Sequence, residues 1–216
     1  SEQRRIHNEL GSKEAKAYFE KYFSDLSPQQ ASDKLMLICD EFDLIESYKQ
    51  SGIWEDSASF SHQEEMDSFL TCLNEDFLGF LYLSTRTDSE KNLNGKFYTP
   101  FFLCKQTLKE FSHSRVSTFI DPCCGSGAFL VAAYHIFGKD LQLIGNDSDA
   151  ISLNLCKFNL RWFAKDCKWN LTAKSYEDMT LPVDGEDILI GTNPPWGSQA
   201  TRNTKNSDLS VQVTEF

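Results

Sequence analysis

Four short apolar runs follow one another after Asn92, and stretches of helical length separate them. Val116 to Ile120 ends at Asp121 and a glycine-rich string, and Leu141 to Ile144 ends at Gly145-Asn146-Asp147. Trp169 to Ala173 is the third run, and Asp187 to Gly191 leads into Asn193-Pro194-Pro195-Trp196. Ala128 to Phe137, stopped by Gly138, and a stretch reaching about Lys165 read as the helices between them. Strands alternating with helices of roughly ten to fifteen residues predict a parallel sheet. Ligands of such sheets sit at the carboxyl ends of the strands. Asp121, Asp147 and Asn193 each stand at one.

Before Asn92 the period is helical. Lys13 to Leu26 carries Ala17, Phe19, Tyr22 and Phe23 on one repeat, and Ser27-Pro28 is a cap with proline in the first turn, opening a helix through Ile45 or beyond. Ser61-His62-Gln63-Glu64 has the form of a capping box. The run it opens sets Met66, Phe69, Leu70, Leu73, Phe77, Phe80 and Leu81 at spacings of three and four, which predicts one apolar stripe. The polar segment Thr85 to Asn94 is the expected linker. Two domains follow: residues 1–91, helical, and residues 92–216, α/β.

Charge divides at the same place. The chain of 216 residues has a net charge of -11, and residues 1–91 hold 9 basic and 19 acidic side chains against 12 and 13 in the remainder. Phosphate neutralisation needs Lys and Arg, so the helical part is a poor nucleic-acid surface. No run approaches the roughly 18 to 20 apolar residues of a membrane span, and Ser1 to Ile6 has no secretory apolar stretch. A cytoplasmic protein without a membrane partner is expected. Seven cysteines without C-x-x-C spacing and four scattered histidines predict reduced thiols and no metal site.

The string Asp121-Pro122-Cys123-Cys124-Gly125-Ser126-Gly127 narrows the ligand. A dinucleotide fingerprint wants Gly or Ala where Leu130 stands, and a P-loop wants a lysine that Asp121 to Tyr134 lacks. The ligand is therefore not held by phosphates. An acid at a strand end beside glycines that allow close backbone approach suits a cationic, amine-bearing ligand. S-adenosylmethionine fits, with its carboxylate near a helix N-terminus and its ribose hydroxyls on Asp147. Each acid alone has a plainer use, capping a turn or the next helix.

Asn193-Pro194-Pro195-Trp196 bears on chemistry. Two prolines end the strand and turn nearby carbonyls outward. The Asn193 amide oxygen and the Pro194 carbonyl can accept from one exocyclic amino group, while Trp196 offers a face worth roughly 1 to 3 kcal/mol in stacking a base taken out of a duplex. The plain alternative is a stiff loop with a packing Trp.

Asn92 to Trp196 resembles the gamma-ordered N6-adenine DNA methyltransferases, most closely the methylation subunits of type I restriction-modification systems and their single-chain relatives. The motifs that carry the resemblance are Gly95-Lys96-Phe97-Tyr98-Thr99-Pro100, the Asp-Pro-x-x-Gly-x-Gly string at Asp121 to Gly127, the acid Asp147, and Asn193 to Trp196. Asn74 to Tyr82 looks like the helix that precedes the family's catalytic domain. The resemblance implies a Rossmann-like S-adenosylmethionine-dependent methyltransferase sheet behind a helical N-terminal domain. It implies cofactor contacts from Phe97, Tyr98, Thr99, Pro100, Asp121, Pro122, Gly125, Gly127 and Asp147, and catalysis by Asn193, Pro194, Pro195 and Trp196. The family's acid after the third strand meets Ser175 here, and Asp178 is assigned in its stead. Double-stranded DNA with a target adenine is the implied substrate, with specificity and restriction subunits as partners. The chain ends twenty residues after Trp196, so a sheet cut short after its fourth strand, and a fragment inactive alone, are expected. RNA or protein glutamine as acceptor, cytosine N4 chemistry and a non-catalytic assembly role stay open.

Overall fold

A computed structural model of the chain describes residues 13–51, 62–86, 98–180 and 187–194. The chain divides into two compact units, Ser1–Thr85 and Arg86–Phe216.

The first unit is helical. Helix α1 covers 13–22, α2 is Pro28–Ser51, α3 is Gln63–Cys72 and α4 is Phe77–Ser84. Phe23, Phe69, Phe77 and Leu81 are fully buried, and the Tyr18 ring meets Phe69 and Phe77 edge-on. Helix α2 starts where Ser27-Pro28 predicts, through a reciprocal pair. The Gln30 amide donates to Ser27 Oγ at 3.4 Å and the Ser27 amide to Gln30 Oε1 at 3.0 Å, which is the capping-box arrangement. The box expected at Ser61 differs: α3 is capped by His62 with no side-chain hydrogen bond, and Ser61 lies outside the described residues. The single apolar stripe is divided as well. Leu73 turns extended at the end of α3, and the Asn74 side chain accepts the Asp76 amide at 3.0 Å, so a side-chain turn separates α3 from α4. Leu70, 44% exposed, falls off the buried face.

The second unit is α/β. It runs α5 (Phe101–Lys109), β1 (Thr118–Asp121), α6 (Ala128–Phe137), β2 (Gln142–Asn146), α7 (Ala150–Phe163), β3 (Lys168–Thr172), a 3-10 turn (Tyr176–Asp178) and β4 (Ile188–Ile190). The sheet order is β3-β2-β1-β4, all parallel. Thr118 stands opposite both Gln142 and Ile188, and Gln142 opposite Lys168. All four predicted runs are strands, with ends shifted by up to two residues. Phe119, Leu143, Leu130, Val131, Cys156 and Leu160 form the centre of the core. The chain steps from β1 through β2 to β3 on one side, then returns to add β4 on the other. Such a reversal opens a crevice at the carboxyl ends of the two strands it separates, here β1 and β4. Of the expected linker Thr85 to Asn94, Thr85 is buried as the C-cap of α4, and the part from residue 87 on lies outside the described residues. Among them, no helix is long and apolar enough to cross a membrane.

Candidate functional site

A cavity of about 280 Å³ occupies that crevice. Each strand contributes the loop at its carboxyl end: Asp121 to Ser126 after β1, Asn146 and Asp147 at β2, Ser175 and Tyr176 after β3, and Asn193 after β4. Tyr98 and Thr99 close it from the segment before α5. Ligand pockets range over roughly 300 to 1,000 Å³, so this one is at the small end.

The β1 loop is shaped by its glycines, for a reason that sequence reasoning did not anticipate. Gly125 and Gly127 have φ of +53° and +89°, a region L-residues seldom adopt. A Cβ on Gly125 would lie 2.5 Å from Tyr98 Cε1, and one on Gly127 would lie 2.7 Å from Cys156 Sγ. The close approach expected of a ligand is thus made by the protein's own side chains. Gly127 is the N-cap of α6 and is not on the cavity wall.

Backbone amides hold the two acids. Asp147 accepts the Gly125 amide through Oδ2 and the Asp149 amide through Oδ1, both at 2.9 Å. The next helix, α7, is capped by Asp149, whose carboxylate accepts the Ile151 amide at 3.1 Å and the Ser152 hydroxyl at 2.9 Å. With that proton committed, Ser152 Oγ accepts from the Tyr98 hydroxyl at 2.8 Å. A closed circuit therefore runs from Tyr98 through Ser152, Asp149 and Asp147 to Gly125, and back to the Tyr98 ring.

Asp121 is 2% exposed and accepts the Cys123 amide at 3.1 Å. Burial pushes its carboxyl up to about 7, and the Asp147 charge adds to the rise. The Thr192 hydroxyl and the Cys123 amide oppose it. Thr192 Oγ1 is close enough to favour the charged form but forms no well-aligned hydrogen bond. Burial, with Asp121 and Asp147 nearby, pushes the Cys123 thiol up to about 12. The Cys124 thiol is raised well above its ordinary range by its hydrogen bond with Cys156 and by burial. Neither is an activated nucleophile.

Of the predicted residues, Tyr98, Thr99, Asp121, Pro122, Gly125, Asp147 and Asn193 come together around the cavity. Pro100 caps α5, which begins at Phe101. Pro194 is half-buried and not on the wall. Asp178 is exposed and also off the wall, because the 3-10 turn presents Ser175 and Tyr176 to the cavity instead. Phe97, Pro195 and Trp196 lie outside the described residues. Among those described, no group of His, Cys, Asp or Glu could hold a metal ion.

Sequence reasoning missed Tyr176, Ser152 and Asn146. Asn146 is fully buried at the end of β2, and only its place beside a strand-end acid hinted at a role. The wall contains two acids and neither Lys nor Arg among the described residues, and burial holds one acid near 7. A cationic ligand fits that donor set better than a phosphate does.

The chain resembles known proteins over most of its length. The chain is 29% identical over 161 residues to the type II methyltransferase M.VspI of Vibrio sp. (strain 343), covering 71% of the chain and 38% of that protein. It is 34% identical over 144 residues to the type I restriction enzyme MjaIX methylase subunit of Methanocaldococcus jannaschii, covering 64% of the chain and 24% of that protein. A solved modification subunit ascribed to a type I restriction enzyme of Vibrio vulnificus YJ016 covers 66% of the chain and 31% of its own, at 20% identity and a TM-score of 0.41. The chain thus spans well under half the length of the relatives it matches. The pattern of the N-6 DNA methylase family matches residues 74–214, a span that takes in the glycine loop, both strand-end acids and Asn193. The chain belongs to the N-6 DNA methylase family.

Proposed function

We propose that this chain carries the cofactor site and the target-amine loop of an S-adenosylmethionine-dependent methyltransferase. It acts on the N6 of an adenine flipped out of double-stranded DNA, in the cytoplasm, within a restriction-modification system that adds specificity and restriction subunits. The observation that carries the reading is that Asn193, after β4, lines the same cavity as the Asp121 to Ser126 loop after β1. Residues 1–91 are read as an acidic helical N-terminal domain and residues 92–216 as the N-terminal part of the catalytic domain. At 38% and 24% of the length of its relatives, the chain alone is read as binding cofactor without modifying DNA.

S-adenosylmethionine supplies a methyl group on a sulfonium, ready for direct transfer. Asp121, once ionised, offers the buried negative charge that a cationic group needs, and Asp147 on the same wall is read as the acceptor of the ribose hydroxyls. The Asn193 amide oxygen and the Pro194 carbonyl accept from the two N-H bonds of the target amine. That draws the nitrogen toward a pyramidal form and relieves the positive charge developing on it. Alignment in one cavity accounts for much of the remaining acceleration.

The test is transfer of labelled methyl to unmethylated DNA by a complete protein bearing this sequence and by its Asn193→Ala variant. Loss of one such acceptor should lower turnover about 100-fold or more. Equal labelling by both, or labelling of RNA in preference to DNA, would overturn the assignment. Calorimetry on this chain addresses the cofactor separately: no heat with S-adenosylmethionine would remove the preformed site.

A further inference from the structure

We infer that Asn146 is the positioning residue that sets the width of the cofactor cavity, by holding the loops after β1 and β3 at a fixed separation. This rests on the cofactor reading above and extends it to a residue no motif singles out.

Asn146 ends the strand between those two loops, and its side chain has no exposure to solvent. Nδ2 donates to the Pro122 carbonyl at 3.0 Å, on the β1 side, and to the Lys174 carbonyl at 3.1 Å, on the β3 side. Oδ1 accepts the Thr172 hydroxyl at 2.8 Å and the Lys174 amide at 3.2 Å. A backbone N-H can only face an oxygen, so the Lys174 amide fixes which way the carboxamide points. The backbone of Asn146 adds a further tie, its carbonyl accepting the Cys124 amide at 2.8 Å. One planar group therefore satisfies two donors and two acceptors, and the residues immediately beyond its partners are the cavity walls. Pro122 leads into the glycine loop, and Lys174 leads into Ser175 and Tyr176.

Each bond has a separate consequence. Without the two donated bonds, the Pro122 and Lys174 carbonyls lose the donor group they share, and the tie between the two walls is gone. Without the accepted bonds, only the β3 loop is released. A carboxyl in place of the carboxamide keeps both acceptor bonds. When ionised it donates to neither carbonyl, and when protonated it regains one donation. It would sit beside Asp147 in the chain and near Asp121, which stands opposite Gly145 on β1, with the Lys174 backbone and the Cys124 amide as its other neighbours.

The experiment is calorimetric titration of S-adenosylmethionine into this chain and into its Asn146→Ala and Asn146→Asp variants between pH 5.5 and 8, with circular dichroism and melting recorded alongside. Asn146→Ala should keep its helix content yet bind at least tenfold more weakly. Asn146→Asp retains Asp121 but loses both donated bonds when its own carboxyl ionises, so its affinity should fall behind that of the wild type progressively as pH rises. That change in the shape of the profile decides the matter even where the alanine variant does not fold, since loss of packing alone would lower affinity by the same factor at every pH. Binding within twofold of wild type by a folded Asn146→Ala, or an Asn146→Asp profile parallel to wild type, would overturn the inference. Failure of the wild-type chain to bind would instead overturn the cofactor reading on which it rests.

Discussion

The Tyr98 ring lies directly over the Gly125 backbone, where a Cβ would meet Cε1 at 2.5 Å. The same glycine gives its amide to Asp147 at 2.9 Å. The loop is thus fixed from above by an aromatic ring and from the side by a carboxylate. Gly125→Ala combines a left-handed backbone that resists a side chain with a collision that must displace Tyr98. A destabilisation of about 2 to 4 kcal/mol is expected, with the melting temperature as its measure. Because Tyr98 also donates to Ser152, Tyr98→Phe should leave the ring in place and cost only about 1 kcal/mol.

The Ser27–Gln30 pair gives a prediction with no bearing on the site. Removing the cap with Ser27→Ala should lower the stability of the helical unit by about 1 kcal/mol. Binding at the α/β cavity should be unchanged, as titration before and after the substitution would report. A matching Ser61→Ala is expected to have little effect, since α3 is capped by His62 without a side-chain bond.

These two glycine and serine sites mark what was legible in the sequence. Short apolar runs and strand-end acids located the four strands and the crevice at their carboxyl ends, because apolar runs and glycine punctuation are local signals. Of the S-x-x-E/Q strings at Ser27–Gln30 and Ser61–Glu64, the structure uses Ser27–Gln30. The pattern states which bonds can form, not where the chain begins to turn. Asn74 broke an apolar stripe that reads as continuous, because a side-chain turn competes with the helix at a single residue. Asp178 looked like the missing acid by position, but a 3-10 turn rotates Ser175 and Tyr176 into the cavity. Asn146 was invisible for a different reason. The four bonds of its carboxamide reach three residues that lie up to 28 positions away, and no spacing rule encodes them.

Asp147 has an acceptor bond on each oxygen, so Asp147→Asn must present an N-H₂ to a backbone amide on one side. Either Gly125 or Asp149 then loses its acceptor. A stability loss of about 1 to 3 kcal/mol is expected, together with weaker binding of S-adenosylmethionine in titration. If the affinity dropped while melting stayed put, the ligand role would stand and the loop-fixing role would not.

Asp121 predicts a pH dependence whose sign follows from burial. Its carboxyl is raised from an ordinary 3.8 to about 7, so the native state holds a proton that the unfolded chain has released. Across that window the unfolded state binds fewer protons, and the group's contribution to stability is full below about 4, declines as pH rises, and is lost above 7. A cationic ligand prefers the ionised carboxylate, so its affinity runs the other way, strengthening as pH rises toward 7, with a proton released on binding. Titration at pH 6.5 in buffers of different ionisation enthalpy reads that proton directly. Asp121→Asn should abolish the buffer dependence, flatten the pH profile of stability, and weaken binding most at high pH, where the wild-type carboxylate is fully charged.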